Sequence, residues 1–391
     1  MAHDRLTVSD WERTVERLGG AALLEQEARD TLAFQRPREV KCGVDLLRLV
    51  LAYCLGVTGL RLTAAWADGI GLARLSNVAL LGRLRNCSAW LERIVARLLV
   101  RAEPTAACSG GPVTGAGRLI RLIDATAVCK AGKSARENGR LWRIHAAFDL
   151  PFAGRDECFS AFELTDEKAA ERIERLAVIP GEIRIADAVH CRADGLAHVI
   201  AAGADVVVRA SWQSARWLDA DGAPLDLVLA LVRAQDGSEG GLIDRPVQLA
   251  RKGAEPLALR LVAIKMPKGK ALQSVAKARK QAKSDGRQIQ PGTLIAAEWV
   301  ILVTSLAKAD FSAAQVLELY RLRWRIEIAF KRLKSVIGLE TPPGECPEVA
   351  KAWVLCHLIA VLLTEARLSA FGASPRRGHA PGPTIGAPSA C

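Results

Sequence analysis

The chain has 391 residues, half of them apolar, enough for two or three domains with at least one sizeable core. Its 54 Lys and Arg against 42 Asp and Glu give a formal net charge of +12, which favours a polyanionic partner, nucleic acid foremost, over an acidic or neutral one. The ten cysteines form no Cys-x-x-Cys pair and His190-Cys191 has no second ligand pair at zinc spacing, which argues against a zinc fold or a disulfide scaffold.

The N-terminus, Met-Ala-His-Asp-Arg-Leu, has no apolar core of a signal peptide. Residues 1–110 read as a helical domain. Leu46, Leu47, Leu49, Val50, Leu51, Tyr53 and Leu55 form a nearly continuous apolar helix, and Trp90, Ile94, Val95, Leu98 and Leu99 follow helical spacing. Between them, Leu62–Asp68 and Asn77–Arg85 predict two short helices around the turn-like Asp68-Gly69-Ile70-Gly71. The pattern fits a helix-turn-helix and equally an ordinary helical bundle, with Arg74, Arg83 and Arg85 as the first candidates for phosphate contacts. The small, Gly-rich residues 106–117 mark a linker.

A strand pattern follows over 118–210. Strands are predicted at Arg118–Thr126, Leu141–Leu150, Cys158–Leu164, Glu182–Ala186 and Asp205–Arg209, with helices at Thr165–Leu176 (Thr165 as N-cap) and Ala193–Ala202. Three strands in a meander followed by crossovers imply an α/β fold, a mixed sheet with helices on its faces. Residues 211–298 read as a mostly β insertion, with strands at Pro246–Ala250 and Leu257–Ile264. Its basic arm over 265–287 carries Lys277, Arg279 and Lys280 among eight cations against the single acid Asp285, a one-sided run that predicts DNA contact. Residues 299–340 hold a buried strand, Trp299–Thr304, and a long helix. Residues 341–391 hold a further helical stretch and a Pro-, Gly- and Ala-rich tail after Gly372 expected to be disordered. The longest apolar stretch, Trp353–Leu363, is too short to span a bilayer and contains His357.

The long helix is predicted over Ser312–Ile337, opened by a capping box, Ser312 with Gln315, and stopped by Gly338. On a wheel of about 100° per residue, Leu319, Leu322, Ile326, Phe330, Leu333 and Ile337 fall within roughly 80°, a core stripe. Tyr320, Arg323, Glu327 and Lys334 fall within a second arc of roughly 60°, extending about 21 Å along the axis. An ordinary amphipathic helix explains one i,i+4 pair, Arg323 with Glu327, but not the alignment of a phenol and two cations with the acid. A carboxylate flanked by phosphate-binding cations suits metal-assisted phosphodiester chemistry. Trp324 lies beside the stripe, to stack on DNA or to pack.

The spacing Tyr320-x2-Arg323-x3-Glu327-x6-Lys334 resembles the Y-R-E-K signature of the insertion sequence 4 family of DDE transposases, complete in type and spacing. Ile123-Asp124-Ala125-Thr126 resembles the family's first catalytic Asp motif and Ile185-Ala186-Asp187 its second, although Ala188, Val189 and His190 stand where relatives often have a Gly and an aromatic. The resemblance covers roughly Leu119 to Leu339 and implies an RNase H-like catalytic core with a β-rich insertion. It implies that Asp124, Asp187 and Glu327 hold two Mg²⁺ ions, with Mn²⁺ as a substitute. Tyr320, Arg323 and Lys334 would grip the DNA backbone, and Trp299 either stacks on a flipped base or is a buried strand residue. The implied activity is cut-and-paste strand cleavage and transfer at terminal inverted repeats and target DNA, by a homodimer in the DNA complex. The protein is expected to be cytoplasmic and nucleoid-associated, with no membrane partner. A catalytically inactive or repurposed DNA-binding descendant is the alternative, which the short stretch after Gly338 would suit; another RNase H-like nuclease is a third reading. His190 reads as a satisfied structural histidine or a phosphate contact.

Overall fold

Strands that are apolar on both faces must be covered on both faces, and several strands here have that character. In the computed structural model, which describes residues 5–56, 59–100, 117–129, 141–152, 156–166, 168–236, 241–339, 341–344 and 346–370, they lie in one mixed sheet. The nine strands among the described residues are β1 (Ile120–Cys129), β2 (Leu141–Asp149), β3 (Cys158–Asp166), β4 (Ile183–Ala186), β5 (Asp205–Arg209), β6 (Trp217–Leu218), β7 (Leu242–Arg251), β8 (Ala254–Lys265) and β9 (Trp299–Thr304). Their order is β3-β2-β1-β4-β5-β9-β8-β7-β6. β1, β4 and β5 run parallel to one another, while all other neighbours pair antiparallel.

Alternation along the strands divides the buried side chains into two cores. Leu122, Ile185, Val207 and Leu302 point to one face. Ile123, Ala186, Val206, Val208 and Val303 point to the other. The second face is covered by α7 (Ala193–Ala201), α8 (Leu227–Asp236) and α10 (Pro291–Ala297). The first shares its core with the N-terminal helices α1 (Arg5–Arg17), α2 (Ala21–Asp30), α3 (Gly43–Leu55), α4 (Leu60–Gly69), α5 (Asn77–Arg85) and α6 (Ser88–Val100).

Also on the first face are α11 (Ala313–Arg321), α12 (Trp324–Ser335) and α13 (Pro347–Ala370). By length and composition, Pro347–Glu365 could cross a membrane, longer than the Trp353–Leu363 run suggested. Here 67% of that window is buried, and the helix packs on α3, α5 and α6. The helix Pro347–Ala370 is therefore an integral part of the helical layer.

Four local expectations need correction or qualification. The segment 211–298 continues the catalytic-side sheet, because β9 pairs with both β5 and β8, and it contributes helices as well as strands. Its basic stretch is a helix, α9 (Lys268–Ser284), rather than an arm, as its Ala, Lys, Gln and Arg content favours. The predicted helix Ser312–Ile337 is two helices in tandem. The capping box at Ser312 and Gln315 opens α11 as expected. At the junction, the Leu322, Arg323, Arg325 and Ile326 amides donate to carbonyls three residues back, a tightened turn. Gly338, at φ +77°, follows the end as a glycine stop, with the Leu339 amide donating to the Leu333 carbonyl. Of the predicted linker 106–117, residues 106–116 lie outside the described residues, as does the tail after Gly372.

The fourth correction is the helix predicted at Thr165–Leu176. Thr165 stays in β3, paired with Arg143 and bonded through its hydroxyl to the His145 ring at 2.9 Å. Residues 168–176 form a loop whose carbonyls, with that of Ala177, are claimed by a buried arginine. Arg184, wholly buried in β4, donates to the carbonyls of Ile173 at 2.6 Å, Leu176 at 3.0 Å and Ala177. Its charge is met by Glu182, which Arg121 also approaches at 3.1 Å while forking onto Asp149 at 2.7 and 3.1 Å. A fully desolvated arginine persists only with this degree of satisfaction.

Replacing Arg184 with Met should therefore destabilise the chain by about 3–5 kcal/mol, the scale for breaking a buried ion pair. Limited proteolysis should show new cuts within 168–182. Urea midpoints and cut sites matching the parent would remove Arg184 as the anchor of this loop.

Candidate active site

The parallel pairing of β1 with β4 ends at Ile123 opposite Ala186. The next residue on each strand is an aspartate, so Asp124 and Asp187 emerge side by side at the same end of the sheet. The Asp124 Oδ1 accepts from the Ala125 amide at 2.8 Å. Asp187 caps a short 3-10 turn, Ala188–His190, accepting from the Val189 amide at 3.1 Å. Burial foremost, with the Asp187 and Glu171 charges beside it, pushes the Asp124 carboxyl up to about 6, although the Ala125 amide and Arg323 pull it down. The site thus concentrates negative charge in a poorly hydrated place, where a cation would be strongly favoured.

Arg323, at the junction of α11 and α12, supplies the nearest positive charge. It stands 3.5 Å from Asp124 Oδ2 and donates to Glu327. Its guanidinium also lies 5.9 Å from the Tyr320 ring centre. Burial pushes the Tyr320 phenol above its ordinary range. Asp124, Glu327 and Lys334 line one open cleft of about 510 Å³, with Ala125, Thr126, Phe330, Lys331 and Ser335. The helical stripe predicted from spacing therefore faces the first aspartate. The junction between the helices does not separate Arg323 from Glu327, because the i,i+4 bond spans it.

Two residues that sequence reasoning did not place belong to the same cluster. Ligand atoms of Asp124, Glu171 and His190 all lie within 4.8 Å of one another. Glu171 comes from the loop after β3, where Arg143 of β2 holds it at 3.2 Å and donates to the Ala169 carbonyl at 2.8 Å. Burial pushes its carboxyl upward, with Asp187 adding to the effect and Arg143 opposing it. His190 is 1% exposed, and neither ring nitrogen has a hydrogen-bond partner among the described residues. The expectation of a satisfied structural histidine is thus not met. Leaving a buried donor or acceptor unmade costs about 1–3 kcal/mol. Burial lowers the His190 pKa to about 4 against the pull of Asp187 and Glu174, so the ring is neutral and a lone pair is available. The adjacency of His190 to Asp187 was a visible signal; nothing local marked Glu171.

The remaining predicted residues are dispersed. Trp299 is 1% exposed within the second core, where its ring packs as a buried strand residue. Trp324 is 53% exposed beside Arg323. Lys277, Arg279 and Lys280 are exposed on α9 and do not line the cleft.

The family described as the transposase DDE domain matches residues 115–363. The proteins named as transposase InsL of insertion sequence elements IS186A and IS186B, from Escherichia coli (strain K12), are each 38% identical over 362 residues, covering 91% of this chain and 93% of theirs. The transposase for insertion sequence element IS421 of Escherichia coli is 38% identical over 363 residues, with the same coverage. Matched over nine-tenths of its length, the chain belongs to the insertion-sequence transposases of the DDE-domain family.

Proposed function

We propose that the chain cuts and rejoins DNA at the terminal inverted repeats of an insertion sequence of the insertion sequence 4 type, by a cut-and-paste route on an RNase H-like core. The observation that carries this reading is the convergence of Asp124, Glu327 and Lys334 on one cleft, with Asp187 immediately after β4, the strand that pairs with β1 up to Ile123. In this reading Asp124, Asp187 and Glu327 are the carboxylates that hold divalent cations, two Mg²⁺ ions with Mn²⁺ able to substitute. The donor set fits: these are hard oxygen ligands, and the negative charge of Asp187 stands beside the buried Asp124 carboxyl. When bound, such ions supply Lewis-acid charge at the scissile phosphate.

The chain's own residues do the positioning. Arg323 neutralises Asp124 and Glu327 in the free protein and exchanges them for a backbone phosphate when DNA enters. Lys334, about three turns further along α12, grips a phosphate farther along the backbone, and Tyr320 braces the Arg323 guanidinium. Trp324 offers an exposed ring for stacking. In cleavage, a water oxygen forms a bond to phosphorus as the bond to the 3′ oxygen breaks. In transfer, the freed 3′-hydroxyl attacks a target phosphodiester, one P–O bond forming as another breaks. Cutting two ends calls for two copies of the chain in the DNA complex. The basic face of α9, with Lys277, Arg279 and Lys280, extends the track for duplex DNA away from the cleft. A transposase acting on chromosomal DNA works in the cytoplasm, in association with the nucleoid.

Glu327→Gln and Asp124→Asn should each lower Mg²⁺-dependent cleavage of DNA bearing the element's ends by at least roughly 10²–10³-fold, the scale for removing one preorganised charged group, while binding to that DNA persists. Unchanged cleavage in both variants would refute the assignment. Replacing Lys277, Arg279 and Lys280 together with Ala should make the slope of log affinity against log salt shallower by about 2.7, at about 0.9 per lost phosphate contact. An unaltered slope would take α9 out of the DNA interface.

A further inference from the structure

We infer that His190 and Glu171 complete, together with Asp124, a mixed nitrogen–oxygen seat for one divalent ion, and that this seat favours Mn²⁺ over Mg²⁺. The inference rests on the reading of Asp124 as a metal-binding carboxylate and adds two ligands from outside the three carboxylates. Three separate elements deliver the groups. Asp124 comes from β1, Glu171 from the loop anchored by Arg184, and His190 from the turn capped by Asp187. Their ligand atoms lie within 4.8 Å of one another. Ligands of one ion at about 2.1 Å are about 3.0 Å apart when adjacent and about 4.2 Å apart when opposite, so closing the set takes side-chain movement on the order of an ångström.

The stronger observation is the histidine itself. A buried imidazole ordinarily donates from one nitrogen and accepts at the other. His190, at 1% exposure, does neither among the described residues, although its main chain is fixed by the bond from its amide to the Asp187 carbonyl at 3.2 Å. A ring held in place and left without partners, beside two carboxylates, is arranged as a ligand. Glu171 is likewise aimed: Arg143 grips one carboxylate oxygen at 3.2 Å and, through the Ala169 carbonyl at 2.8 Å, the backbone of its loop. Such an arginine orients a ligating carboxylate as an outer partner does in metal sites. One imidazole among carboxylates shifts preference from Mg²⁺, which demands oxygen, toward transition ions that accept nitrogen.

The test is Mn²⁺ binding to the full chain, followed by electron paramagnetic resonance, with electron spin-echo modulation to detect a directly bound ¹⁴N. Wild-type protein should bind Mn²⁺ saturably, more tightly than Mg²⁺ in competition, and show histidine nitrogen coupling. His190→Asn should erase that coupling and weaken Mn²⁺ by roughly 10-fold or more, with a smaller change for Mg²⁺, and Glu171→Gln should weaken Mn²⁺ while retaining the nitrogen signal. Bound Mn²⁺ with no nitrogen coupling in the wild type, a reading that depends on no variant, would overturn the inference while leaving the carboxylate reading intact. Equal affinity for the two ions would overturn the stated preference, and absence of saturable Mn²⁺ binding would overturn the seat. Undiminished Mn²⁺ affinity in Asp124→Asn would overturn both the seat and the reading beneath it.

Discussion

The parallel register of β1 on β4 is the constraint from which the site follows. Pairing stops at Ile123 with Ala186, and an aspartate comes next on each strand. A shift of one residue would turn one carboxylate to the opposite face of the sheet, since side chains alternate along a strand. The apolar pattern prevents that shift: Leu122 and Ile185 must reach the helical face while Ile123 and Ala186 reach the other. Core packing therefore holds two like charges together, which electrostatics alone would separate. Burial foremost pushes the Asp124 carboxyl up to about 6, and the Asp187 charge adds to it. Arg323 offsets part of it from the junction of α11 and α12 and brings Glu327 into the same cluster.

A second group of arginines supports this end of the sheet from below. Arg184 and Arg121 are buried side chains on β-strands whose donors are used up by Glu182, Asp149 and the carbonyls around Ile173 to Ala177. Their effect is to hold 168–182 as an irregular loop against the strands. Arg143 then fixes Glu171 from the neighbouring strand. Rigid supports of this kind matter in a charged site, because loosely held carboxylates would rotate away from one another to reach water. The helical layer completes the support, with α13 buried between α3, α5 and α6 and sharing their core with the sheet.

Much of the site was legible in the sequence because its spacing is local. The row Tyr320, Arg323, Glu327 and Lys334 follows from the helical period and survives the tightened turn at Leu322 and Arg323, which costs little rotation. The two aspartates were legible as acids that directly follow apolar strand residues, Ile123 and Ala186. Glu171 was not, because its position is set by Arg184 capturing distant carbonyls; the same capture removed the helix predicted at Thr165–Leu176. Trp299 begins an apolar strand, and only the sheet order shows that this strand is central, with β5 on one side and β8 on the other. The stretch around Lys277 drew attention through charge, while its Ala-, Gln- and Lys-rich content already pointed to the helix that forms. The continuity of β8 with β9 was beyond local reading, since it joins segments by pairing Arg260 with Thr304 and Lys265 with Trp299.

The central claim is that Asp124, Asp187 and Glu327, distant in the chain, surround a common cation seat at this end of the sheet. It is tested most directly by replacing the native ion with Fe²⁺ and generating hydroxyl radicals with ascorbate and peroxide, so that the backbone is cut where the ion sits. The account predicts cuts clustered within a few residues of Asp124, Asp187 and Glu327, all suppressed together by excess Mg²⁺. Cuts confined to one of these segments, or clustered elsewhere in the chain, would contradict it.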